Sequence, residues 1–300
     1  MPNTDPFSPL VLGHNSFFGV DHLSAKRGAE RAAHFADTDR VMEMIHTAME
    51  RGVTGLMLST HPHAVVISEA IRNDAKARDG LKIYPLLPYA QKYITRANEV
   101  GLVNVVFDAL AGSSIDNKIS AIWKGGMGVL TRDAEDMLSA LIRLELNMFR
   151  GLNLHAVFLH DALTDLALGL NLRKIFEFYV KELDTAHGAV GGFATKNLPT
   201  LLDRFAEWGL EAPAVLTHVN KVGYQMHPST EASVEALHQH PARVMAMGTL
   251  ASGYLKPDDA YQFVGQVPGI ESIVVGVSSA AHADETFGAI QRHVPVAQSA

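Results

Sequence analysis

GLMLSTHPHAV, residues 55–65, is an apolar run that ends in two hydroxyls and then in His-Pro-His. A short run with so little polar alternation reads as a strand covered on both faces, as in a parallel sheet. Eight further runs of this kind lie at 10–13, 83–87, 103–107, 156–159, 190–194, 214–217, 244–247 and 272–277, with amphipathic segments between them. Residues 39–51 place Val41, Met44, Ile45 and Ala48 on one stripe and stop at Gly52. Residues 131–149 open on a capping Thr131 and align Leu138, Leu141, Ile142 and Leu146. Residues 197–208 carry Pro199 in the first turn and Gly209 after the last. This strand–helix rhythm predicts an α/β fold, a (β/α)8 TIM barrel, with an open doubly wound sheet as the alternative. Nine runs for eight positions leave one outside the barrel, and 10–13 is the one expected there.

No linker-like stretch divides the 300 residues, so residues 1–300 are expected to form one domain. The Gly- and Ser-rich stretch 111–128 is expected to be a long loop on the functional face. The chain has no cysteine, which excludes disulfides, thiolate metal sites and a cysteine nucleophile. Its net charge of −7, without a Lys/Arg cluster, argues against nucleic acid as a partner. No apolar run is long enough to span a membrane, and the polar, Pro-rich start lacks the form of a secretory leader. The expectation is a cytoplasmic protein acting on a small-molecule substrate.

A barrel gathers its chemistry where the strands end. The polar residues there are His14, Asn15, Ser59, Thr60, His61, His63, Tyr89, Asp108, His160, Asp161, Thr195, Asn197, His218, Asn220, Thr249, Ser278 and Ser279. In VFLHD, His160 offers an acid or base, and Asp161 either orients it or caps the next helix. Asp108 either binds a metal or a substrate hydroxyl, or caps a loop. His61 and His63 have the spacing of an H-x-H metal pair, which His160 and His218, or His14 and Asp108, would complete. The bland reading of the same residues is a strand cap and a turn.

The C-terminal part presents GGFATKN, VLTHVNKVGYQMHPS, VMAMGTLASGYLKPDDA and IESIVVGVSSAAHADET in this order at strand spacing. This resembles the second half of the aldo-keto reductase barrel, over roughly residues 189–290. The resemblance implies a nicotinamide cofactor, NADP, with Asn220 near its nicotinamide and Leu250, Ser252 and Gly253 over its pyrophosphate. It also implies that Gly276, Ser278 and Ser279 hold its adenosine phosphate at a helix start. The first half departs from the family. The strand at 55–59 ends without the family's Asp and Tyr, the run at 83–87 ends without its Lys, and of the four catalytic types only a His, His160, is matched. The usual basic residue after GVSS is absent too. Tyr89 is a substitute proton donor from a different backbone position.

The first expectation is therefore an enzyme using His160, His61, Asp108 and Tyr89 for acid/base chemistry assisted by a divalent metal. It would be a lyase, isomerase or hydrolase acting on a polyhydroxy, carbonyl or phosphorylated compound. An NADP-dependent oxidoreductase with a non-standard proton donor is the second. A barrel that binds a ligand without turning it over is the third.

Overall fold

The computed structural model describes residues 5–21, 24–88 and 132–295. Eight parallel strands close into a barrel in sequence order. They are β1 (Leu10–Leu12), β2 (Gly55–Ser59), β3 (Lys82–Leu87), β4 (Ala156–Leu159), β5 (Val190–Thr195), β6 (Ala214–His218), β7 (Arg243–Met247) and β8 (Ile270–Val275). Among the described residues the helices are α1 (Ala25–His34), α2 (Thr38–Met49), α3 (Pro62–Asn73), α4 (Ala75–Gly80), α5 (Arg132–Leu146), α6 (Asp161–Gly169) and α7 (Arg173–Glu182). They continue as α8 (Leu198–Trp208), α9 (Thr230–Gln239), α10 (Pro257–Val264) and α11 (Ala280–His293).

The run expected outside the barrel is its first strand. Val11 pairs with Gly55 on one side and with Val274 on the other, so β1 is what closes the sheet. Three residues suffice because Gly13 continues the ladder, its N–H donating to the Val275 carbonyl at 2.9 Å. That closure also removes the open-sheet alternative. The run 103–107, the loop 111–128, Tyr89 and Asp108 lie outside the described residues.

Side chains alternate strictly between two cores. Val11, Met57, Tyr84, Phe158, Ala194, Leu216, Met245 and Val274 meet in the barrel interior. Leu12, Leu56, Leu58, Ile83, Val157, Phe193, Val215, Ala246 and Ile273, of the other parity, pack under the helices. The interior is filled by complementary volumes. A Cβ on Gly192 would stand 2.5 Å from Phe158 Cε1, so the ring of β4 occupies the space that β5 leaves.

The N-terminal end of the barrel is sealed. Phe7 meets Tyr84, His155 and Phe158 edge-on at 6.2, 6.1 and 6.3 Å, and the Arg243 guanidinium lies 4.2 Å from the Phe7 ring centroid. His155 is 4% exposed, and its Nε2 has no hydrogen-bond partner among the described residues. Burial, helped by the Lys82 and Arg243 charges, lowers its pKa to about 4. Among the described residues no helix is long and apolar enough to cross a membrane.

Because the folded chain holds His155 neutral, the unfolded chain binds the extra proton. The stability that this contributes is complete above the unfolded pKa and is lost as pH falls from about 6.5 towards 4. Urea midpoints should therefore drop between pH 7 and pH 5, by roughly 1–2 kcal/mol for this histidine. In His155→Leu the drop should be smaller by that amount; equal drops would remove His155 as its source.

Candidate active site

The interior parity runs on past the strand ends. Counting by twos from Met57, Phe158, Ala194 and Leu216 leads to His61, His160, Lys196 and His218 at the open mouth.

His160 precedes α6, and its Nδ1 lies 2.6 Å from Asp161 Oδ1. The Ala162 N–H also points at Nδ1, from 3.2 Å, but a lone pair there would face the much closer carboxylate oxygen, so Nδ1 carries the proton and donates it to Asp161. The same Oδ1 accepts the Ala162 N–H at 2.9 Å. Nε2 of His160 is the ring nitrogen that Asp161 does not engage. The other oxygen, Oδ2, lies 3.1 Å from Lys196 Nζ. Burial pushes the Asp161 carboxyl up, but the hydrogen bond and charge of His160, together with Lys196, outweigh it and hold the group well below the usual carboxylate range. Asp161 thus both contacts the His160 ring and bonds the first turn of α6, the two places expected for it.

Lys196 is fixed from both sides. Its N–H donates to Asp165 Oδ2 at 3.2 Å, and its carbonyl accepts the His227 N–H at 2.8 Å. Asp165 also accepts the Thr195 hydroxyl. Its carboxyl is raised, chiefly by burial, which these hydrogen bonds offset in part. Lys196 and Asp165 were not among the residues expected from sequence. The signal for Lys196 was present in GGFATKN, two residues beyond the interior-facing Ala194; Asp165 had none, because only the turn of α6 brings it to β5.

His14, 9% exposed, donates Nδ1–H to the Met57 carbonyl at 3.2 Å, and burial lowers its pKa to about 4. Phe18 lies 5.0 Å from His14 and stacks on His61 at 4.4 Å, tilted by 20°. His61 caps α3, its Nδ1 accepting the His63 N–H at 3.0 Å, with Pro62 as the first helical residue. Its pKa is lowered by burial and then by His63.

The metal expectation for His61, His63, His160 and His218 finds no support among the described residues. One nitrogen of His61 is spent as a cap and one of His160 on Asp161. Among the described residues no three His, Asp or Glu side chains come together to hold an ion. His-Pro-His is the strand cap and turn of the bland reading.

The C-terminal motifs form the opposite wall. His218 ends β6 against Gly248 (φ 61°), where a Cβ would stand 2.3 Å from His218 Cδ2. Asn220 is fully buried, and its amide bonds the Tyr224 N–H and carbonyl, both at 2.8 Å. Both ends of its side-chain amide are thus engaged in building this loop. Leu250 is half-buried, and Ala251, Ser252 and Gly253 after it are left-handed, with φ of 46°, 59° and 87°. Gly276 is exposed; the Ser278 hydroxyl lies 3.3 Å from His282 Nδ1, and Ser279 caps α11 by accepting the His282 N–H at 3.3 Å. The first turn of α11 carries no acidic residue. Backbone N–H groups at that helix start, an open glycine and two hydroxyls are a donor set suited to an anionic nucleotide.

Solved proteins share this fold. A candidate aldo-keto reductase from Pseudomonas aeruginosa is 13% identical, with a TM-score of 0.61 over 95% of this chain and 90% of that one. The glycerol dehydrogenase of Gluconobacter oxydans is 12% identical, with a TM-score of 0.53 over 97% and 94%. A mutant of the protein Gox0644, solved in complex with NADPH, is 12% identical, with a TM-score of 0.51 over 95% and 84%. The fold is that of the aldo-keto reductases. No protein-family model matches the chain, and no curated protein sequence does either.

The tautomer of His160 is open to measurement. Long-range proton–nitrogen NMR spectra should show it as the Nδ1–H form in the wild type and as a mixture in Asp161→Asn, where the anion that selects it is gone. An unchanged spectrum would separate Asp161 from His160.

Proposed function

We propose that this protein is an NADP-dependent oxidoreductase that interconverts a carbonyl and an alcohol, with His160 in place of the family's tyrosine as proton donor. The observation that carries this reading is the His160–Asp161–Lys196 array at the mouth of an aldo-keto reductase barrel. Bound NADPH would supply the hydride. A carbonyl oxygen gaining negative charge needs a proton at the same moment. The protonated ring of His160 presents one on Nε2, and the Asp161 carboxylate on its far side fixes the ring. The hydrogen bond and charge of His160, joined by Lys196, keep Asp161 ionised, so the carboxylate orients the ring without taking its proton. Phe18, His14 and His61 form an aromatic flank that keeps water from one side of the mouth. The metal-assisted lyase, isomerase or hydrolase reading has no support, since the described residues build no metal centre.

Oxidation of NADPH by a panel of aldehydes and ketones tests the proposal. His160→Ala should lose on the order of 100- to 10,000-fold in kcat, and chelator should change nothing. NADPH at a hundred times its Kd should add about 2.7 kcal/mol to stability. Absence of any thermal shift with NADPH would sink the reading, whatever the carbonyl panel gave.

A further inference from the structure

A cleft of about 280 Å³ opens between α1 and the start of α11, lined by Arg27, Glu30, Arg31, His34, Phe35 and Ser278. Arg27 and Arg31 lie one turn apart on one face of α1, where two like charges repel unless an anion joins them. The chain supplies one. Asp21, whose side chain is 5% exposed, takes Arg27 Nε and Arg31 Nη1 on Oδ2, each at 3.2 Å. Its Oδ1 accepts Arg27 Nη2 at 3.3 Å and the Ser24 N–H at 2.9 Å. Two guanidiniums on a single carboxylate leave an excess positive charge. Each also keeps N–H donors that Asp21 does not use, since a guanidinium carries five. Glu30, the one carboxylate on the lining, is 62% exposed and lies 3.9 Å from Lys26 Nζ. The facing wall is Ser278 and the helix start behind it, with no acidic residue in the first turn.

We propose that this cleft binds the phosphate monoester on the adenosine ribose that distinguishes NADPH from NADH, with Arg27 and Arg31 as its clamp. Asp21 is the positioning residue that holds both guanidiniums in place. The proposal rests on the dinucleotide reading of the mouth. It assigns to α1, across the cleft, the positive charge that is missing after GVSS. A planar guanidinium pair suits a phosphate because each can present two parallel N–H groups to it. The nucleotide would then lie between α1 and α11, and α1 would determine which dinucleotide is accepted.

Calorimetry on the full chain with 2′,5′-ADP, 5′-AMP and inorganic phosphate tests the site without turnover. The wild type should bind 2′,5′-ADP about 10- to 100-fold more tightly than 5′-AMP, with a strong loss in high salt. Arg27→Gln and Arg31→Gln should each lower that ratio at least threefold, and the double variant should bring it near one. Melting curves of the variants would show that they are folded. Comparable binding of both nucleotides by the wild type, or a ratio that survives in the double variant, overturns the proposal. If NADPH binds and reduces a carbonyl while the double variant keeps its preference for NADPH over NADH, the cleft proposal fails and the oxidoreductase reading stands. If 2′,5′-ADP binds through the two arginines but no carbonyl is reduced, the cleft stands and the hydride reading falls. Tighter binding of inorganic phosphate alone than of 2′,5′-ADP also overturns it, by making the site one for free phosphate.

Discussion

Closure of eight parallel strands leaves each side chain two places to go, the interior or the helical layer, and parity decides between them at every position. Everything at the mouth follows from that count. Met57, Phe158, Ala194 and Leu216 fill the interior, so residues of the same parity beyond them stand at its rim: His160, Lys196 and His218 two further on, and His61 four further on. A shift of one residue in any strand would bury its rim group under a helix. The seal of Phe7, Tyr84 and Phe158 at the other end makes the rim the open end of the interior.

The rim gains its chemistry from one carboxylate. Asp161 is taken by a ring nitrogen, a backbone N–H and an ammonium, and these come from two strands and one helix start. Such an anion, well buried and fully partnered, fixes the histidine beside it more rigidly than a solvated one would. A lysine and an aspartate from different strands thus meet beside one imidazole.

The barrel was readable because buried parallel strands are apolar throughout, and eight of the nine runs proved to be strands. The first was misjudged because a run so short looks like a cap; only its pairing with β8 reveals that it closes the sheet. His160 and Asp161 were legible as neighbours at a strand end. Lys196 was passed over because the eye follows runs of polar residues, whereas the barrel reads every second one. Asn220 was given a ligand's role from a motif, yet the same amide serves a turn that only three-dimensional contacts define. The HPH motif satisfied a spacing rule for metals, but spacing says nothing of which nitrogen a helix start has already claimed.

The loop after β7 carries two side-chain-bearing residues in the left-handed region, Ala251 and Ser252. Each such residue costs roughly 1–2 kcal/mol relative to ordinary backbone. Packing of Ala251 with Leu255 and Ala260 opposes that cost. The segment is therefore a loaded spring held by a small latch. Thinning that small apolar cluster would let the backbone relax towards ordinary dihedrals without any change in the barrel beneath it.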